Sequence, residues 1–128
     1  MIVRDGKVIG RGHNSVTLIN DPTAHAEIVA IRDACKNAKD FMLKGATLYT
    51  SCEPCPMCLA ATYWAHIDRI VYACSRKDAA DIGFDDDFLY NEIPLPIKDR
   101  SIPTVRGLDT EGLVPFKMWT LKDDKIEY

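Results

Sequence analysis

Four residues in two short stretches have the types and spacing for hydrolytic metal chemistry. His25 and Glu27 stand two apart, and Cys55 and Cys58 stand three apart with prolines at positions 54 and 56. An imidazole and two thiolates suit a tetrahedral zinc whose fourth position stays open to water, whereas structural zinc is usually closed by four protein ligands. A metal held this way lowers the pKa of its water towards about 7. A carboxylate is then needed to carry the proton to a ring nitrogen and a leaving amine, which is the work Glu27 could do. Each fragment alone is weak: His25 with Glu27 could be a surface pair, and Cys55 with Cys58 a redox pair. Together, each at the start of a predicted helix, they point to a metal enzyme.

Geometry constrains where such a site can lie. Residues i and i+2 leave a helix on different faces, so His25 and Glu27 can meet only beyond the helix end. The site is therefore expected off the N-terminal mouths of two helices. Orphan N–H groups and the positive dipole end there favour thiolates. Cys52 competes as a ligand, since Cys52 and Cys55 share the same spacing; the proline directly before Cys55 favours Cys55, with Cys52 a neighbour. Cys35 and Cys74 are expected to be core thiols, and His13 and His66 loop or helix-end residues.

The elements that would position these side chains follow from the pattern. Asp5-Gly6 between Met1–Arg4 and Lys7–Arg11 predicts a hairpin with a type I′ turn. Ala24, Ile28, Ile31 and Cys35 repeat at helical spacing, and Asp21-Pro22 offers a cap and first-turn proline, with Thr23 the alternative cap, which predicts a helix over 22–38. Residues 46–51 and 69–74 have strand composition, and Pro56 opens a second helix through Ala65. Short helices are expected at 78–82 and 85–91 and near 115–122. Alternating helix and strand predict an α/β layer architecture.

The bulk numbers permit this and limit the partners. A chain of 128 residues fits one domain, 1–128. The net charge of −3 does not suggest a broad phosphate-binding surface, so a small substrate is favoured over a polynucleotide, although an acidic total leaves room for a local basic patch. No apolar run reaches the roughly 20 residues that cross a bilayer, and no basic stretch precedes an apolar leader. The expectation is a cytoplasmic protein with neither membrane nor nucleic-acid partner.

His-x-Glu followed by Pro-Cys-x-x-Cys is the signature of zinc nucleobase deaminases. Asn20-Asp21-Pro22-Thr23-Ala24-His25-Ala26-Glu27, Tyr49-Thr50-Ser51-Cys52-Glu53-Pro54-Cys55-Pro56-Met57-Cys58, Gly83-Phe84-Asp85-Asp86 and the terminal Glu127-Tyr128 resemble bacterial guanine deaminases, members of the cytidine deaminase-like superfamily. The resemblance implies a three-layer α/β/α fold with a central mixed sheet, one Zn2+ per chain, and hydrolysis of guanine to xanthine and ammonia. It implies substrate contacts at Asn14, Ala26, Asp86 and Tyr128. It also implies a homodimer that exchanges C-terminal segments, with residues 93–128 the segment here and Trp64 an apolar wall in that arrangement. Relatives carry a first helix and a Gly-Gly-Pro-Phe-Gly-Ala stretch before the first strand, and a longer native chain is expected on that ground. Two other chemistries remain open: deamination of a purine nucleoside such as guanosine, or of adenosine in tRNA, where a basic tail would be expected. An inactive zinc-stabilised scaffold is the reading from outside enzymology.

Overall fold

The computed structural model describes residues 1–84 and 86–127, and the chain divides into two compact units, Met1–Tyr90 and Asn91–Tyr128. In the first, β1 (Ile2–Arg4) and β2 (Lys7–Gly10) form the expected hairpin. Asp5 and Gly6 both have positive φ, 50° and 71°, which is the backbone a type I′ turn requires. A short helix α1 (Val16–Ile19) leads to α2 (Ala26–Ala38), β3 (Thr47–Cys52), α3 (Pro56–Trp64), β4 (Arg69–Cys74) and α4 (Arg76–Ala80). The helix α5 (Asp87–Glu92) follows.

The sheet order is β2-β1-β3-β4. β1 runs antiparallel to β2 and β3, and β3 runs parallel to β4, so the sheet is mixed as expected of this α/β fold. On β3 the side chains alternate: Leu48, Thr50 and Cys52 are buried or half-buried, while Tyr49 and Ser51 are exposed. The inward face begins in the core, where Ile2 and Leu48 pack with Ala30, Ile31 and Ala34 of α2, and with Leu43, Ala46 and Ala65. α2 contacts β1, β2, β3 and α3, so it is the helix that ties the layers together.

Small residues set how closely α2 lies on the sheet. A Cβ on Gly10 would overlap the Ala30 carbonyl and the Ala34 side chain, and one on Gly12 would overlap the Ala26 carbonyl and the Ala30 amide. Gly12 thus lets the exit of β2 touch the first turn of α2, just before Asn14. Gly12→Ala is expected to cost about 1–3 kcal/mol, the usual range for overpacking a close contact. Chemical denaturation measures this, and an unchanged midpoint would contradict it.

The start of α2 differs from the sequence expectation. The helix begins at Ala26, with His25 as its N-cap, four residues later than Pro22. Asp21 does not cap it. Its carboxylate accepts from the Thr23 amide (2.8 Å) and hydroxyl (2.7 Å), and its carbonyl accepts from the Ala24 amide. The Ala24 carbonyl is taken by the Ser15 amide at 2.9 Å, so residues 21–24 form a turn tied to α1 instead of a helical one. Cys74 also departs from expectation: it is exposed, at the end of β4 where the strand lines an open cavity and not the core.

In the second unit Ser101 donates twice to the Glu92 carboxylate (2.8 and 2.9 Å), and Arg100 donates to the carbonyls of Ile93 and Leu95. A helix α6 (Val114–Leu121) carries Phe116, Trp119 and Leu121, all exposed. Among the described residues no helix is long and apolar enough to cross a membrane.

Candidate active site

His25 and Cys55 occupy equivalent places on two helices. Each is the N-cap, in extended conformation (φ −65°, ψ 155° and φ −62°, ψ 167°), so each side chain leaves its helix at the mouth. For Cys55 the cause is local: Pro56 at the first helical position disfavours helical backbone in the residue before it. Cys58 lies one turn further into α3 and is buried. Thr62 donates to its carbonyl at 2.8 Å.

The three side chains converge. His25 Nδ1 lies 3.6 Å from Cys55 Sγ and 3.6 Å from Cys58 Sγ, and the three donor atoms fall within 4.8 Å of one another. Zinc–sulfur and zinc–nitrogen bonds of about 2.3 and 2.05 Å at tetrahedral angles set an N···S edge of about 3.6 Å. The triangle fits zinc in size as well as in donor type. Cys52 stands outside it, its thiol directed to the Ser75 carbonyl at 3.7 Å.

The thiols are unequal. A hydrogen bond from Cys58 holds Cys55 down to about 6, against the cost of burial, with the amides of Cys58 and Met57 and the nearby His25 adding to the effect. Cys58 is pushed up, first by that shared bond with Cys55, then by burial and by Glu27. Without a metal the two thiols therefore share one proton at neutral pH.

Glu27, second residue of α2, reaches the same place. Its Oε2 accepts from Cys58 Sγ at 3.5 Å, and its Oε1 accepts from the Thr50 hydroxyl at 2.6 Å. Thr50 was not singled out by motif or spacing. The signal lay in the alternation of Leu48, Thr50 and Cys52, which puts Thr50 on the face turned to α2.

A cavity of about 670 Å³ opens beside this cluster, lined by Asn14, Ala26, Glu27 and Asp86 among others. That volume is in the range of small-ligand pockets. Asn14 Oδ1 accepts from the Val16 amide at 3.1 Å, which fixes the side chain at the start of α1. Asp86 is half-buried, and its carbonyl accepts from the Leu89 amide at the start of α5. The rim is braced by Arg76, whose guanidinium lies 4.6 Å over the Tyr90 ring while the Tyr90 hydroxyl donates to the Pro54 carbonyl. Trp64 is not brought to this cavity within the chain; it is 64% exposed at the far end of α3. Tyr128 and Asp85 lie outside the described residues.

Residues 1–74 match the family model described as the cytidine and deoxycytidylate deaminase zinc-binding region. The guanine deaminase of Bacillus subtilis (strain 168) is 52% identical over 128 residues, covering all of this chain and 82% of that protein. The chain belongs to this deaminase family. The X-ray structure of guanine deaminase from Bacillus subtilis superposes with a TM-score of 0.96 over 99% of this chain and 81% of that one. The likeness to tRNA-specific adenosine deaminases is narrower. That of Aquifex aeolicus (strain VF5) is 40% identical over 77 residues, 60% of this chain and 51% of the relative. The likeness that spans this whole chain is to the guanine enzyme.

Proposed function

We propose that this protein hydrolyses guanine to xanthine and ammonia, with zinc held by His25, Cys55 and Cys58. The observation that carries the chemistry is the three-donor triangle with the Glu27 carboxylate at its edge. Guanine as substrate is supported by the full-length likeness to the Bacillus subtilis enzyme.

When bound, zinc supplies an acidified water at neutral pH. Glu27 does the proton work: Oε2 faces the donor set, takes one proton from water and passes it to a ring nitrogen of the substrate. The water oxygen forms a C–O bond at the carbon bearing the exocyclic amine, its second proton is carried by Glu27 to that amine, and the C–N bond breaks to leave a carbonyl and ammonia. Asn14 offers an amide that pairs with donor and acceptor edges of a purine, and the Asp86 carboxylate accepts from purine N–H groups. Ala26, beside His25, lines the cavity without bulk. The likeness to guanine deaminases adds Tyr128, outside the described residues, to the proposed substrate contacts.

The protein acts as a cytoplasmic homodimer in which residues 93–128 cross to the partner and Trp64 walls the neighbouring site. The exposed Phe116, at 70%, and Leu121, at 80%, suit a segment that packs on another surface. Light scattering should return the mass of two chains, and the mass of one would end that part of the proposal. Steady-state rates on guanine, guanosine, adenine and cytosine test the substrate. Guanine should be turned over well above the other three, and turnover of guanosine alone would overturn the assignment.

A further inference from the structure

The sheet contributes to this site through Thr50, a residue with no metal ligand's chemistry. Thr50 sits in the inner strand β3, paired to Tyr72 of β4, while β1 holds the other edge of the same strand. Its hydroxyl donates to Glu27 Oε1 at 2.6 Å in a half-buried setting. A short bond to a carboxylate is charge-assisted and stronger than a neutral one. The donor is also stiff, since a β-branched side chain has restricted χ1 freedom.

Glu27 needs such an anchor. A glutamate has several rotatable bonds, and Glu27 stands half-buried at a helix mouth with one side open to the cavity. The Thr50 bond commits one oxygen to the sheet and leaves Oε2 directed at Cys58 Sγ and the donor triangle. We infer that Thr50 is a positioning residue for proton transfer, holding the Glu27 carboxylate so that only Oε2 faces the reacting groups. The inference rests on the proposed role of Glu27 as proton carrier. It adds that the accuracy of this carboxylate is set by β3, the strand whose inward face also supplies Leu48 to the core and Cys52 to the cavity.

Thr50→Val keeps the shape and strand preference and removes the donor. It should lower kcat about 10- to 100-fold, the range for small misplacement of a catalytic group, while KM and zinc content stay at wild-type values. Thr50→Ser restores the hydroxyl and should recover most of kcat. A second readout needs no turnover: the infrared carboxylate band that disappears in Glu27→Gln should shift in Thr50→Val and stay in place in Thr50→Ser. Thermal unfolding of each variant separates this from a folding defect. Wild-type kcat and an unmoved band in Thr50→Val would overturn the inference, as would a Ser variant as impaired as Val. If Glu27→Gln itself keeps full activity, the role given to Glu27 fails; if that variant is dead and Thr50→Val is not, only the inference about Thr50 fails.

Discussion

Glu27→Gln should reduce turnover by about 10²- to 10⁴-fold, the contribution typical of a positioned acid–base group, while leaving zinc content unchanged. The amide matches the carboxylate in shape, and its oxygen can still accept from Thr50, so the fold around it is kept. What it loses is the ability to take a proton at Oε2 and release it. The three donors of the triangle are His25, Cys55 and Cys58, and Glu27 is not one of them. Assay of kcat with metal analysis on the same preparation separates the two roles. Loss of zinc together with activity would make Glu27 a structural support of the metal site, and full activity would remove it from the reaction.

Loss of a ligand should act differently, on stability and metal together. Cys58→Ser removes a buried sulfur at the point where α2 and α3 meet, and zinc binding is itself folding energy for the two helix mouths. The variant should lose stoichiometric zinc, lose turnover and melt below the loaded wild-type protein. A chelator should give the wild-type protein the same loss of activity, reversed by added zinc. The pH dependence of loading follows from the thiols. Above about 6 the metal-free pair holds one shared proton, so binding releases about one proton from the pair. As pH falls through about 6 the pair takes up its second proton, and release from the pair rises towards two. Calorimetry in buffers of different ionisation enthalpy reads the total proton release, of which the thiols supply about one at pH 7.5 and an acidified water a further share. A total release near zero at pH 7.5, or zinc retained by Cys58→Ser, would contradict the ligand assignment.

Much of this site was legible because zinc chemistry demands particular residue types at short spacing. His25 with Glu27 and Cys55 with Cys58 could be placed at helix mouths before any fold was known, since two residues apart on a helix can converge only beyond its end. The hairpin at Asp5-Gly6 and the strand 69–74 were equally clear, one from its turn residues and one from its composition. The start of α2 was not. Asp21 and Pro22 carry strong helix-start signals, but the same chemistry also closes a turn, and only the pull of Ser15 on the Ala24 carbonyl decides between them. Cys74 was misplaced because a cysteine ending a strand does not show whether that end faces the core or the cavity it lines here. Thr50 was overlooked for a related reason. A threonine within a run of strand composition carries no mark of function until the register shows which face it occupies and what lies opposite.

The most direct test of zinc-dependent guanine hydrolysis is ammonia release from guanine by protein whose zinc has been measured. The prediction is one zinc per chain, ammonia and xanthine formed in equal amounts, and a rate lost on chelation and regained with zinc. Protein loaded with one zinc per chain that releases no ammonia from guanine would contradict it.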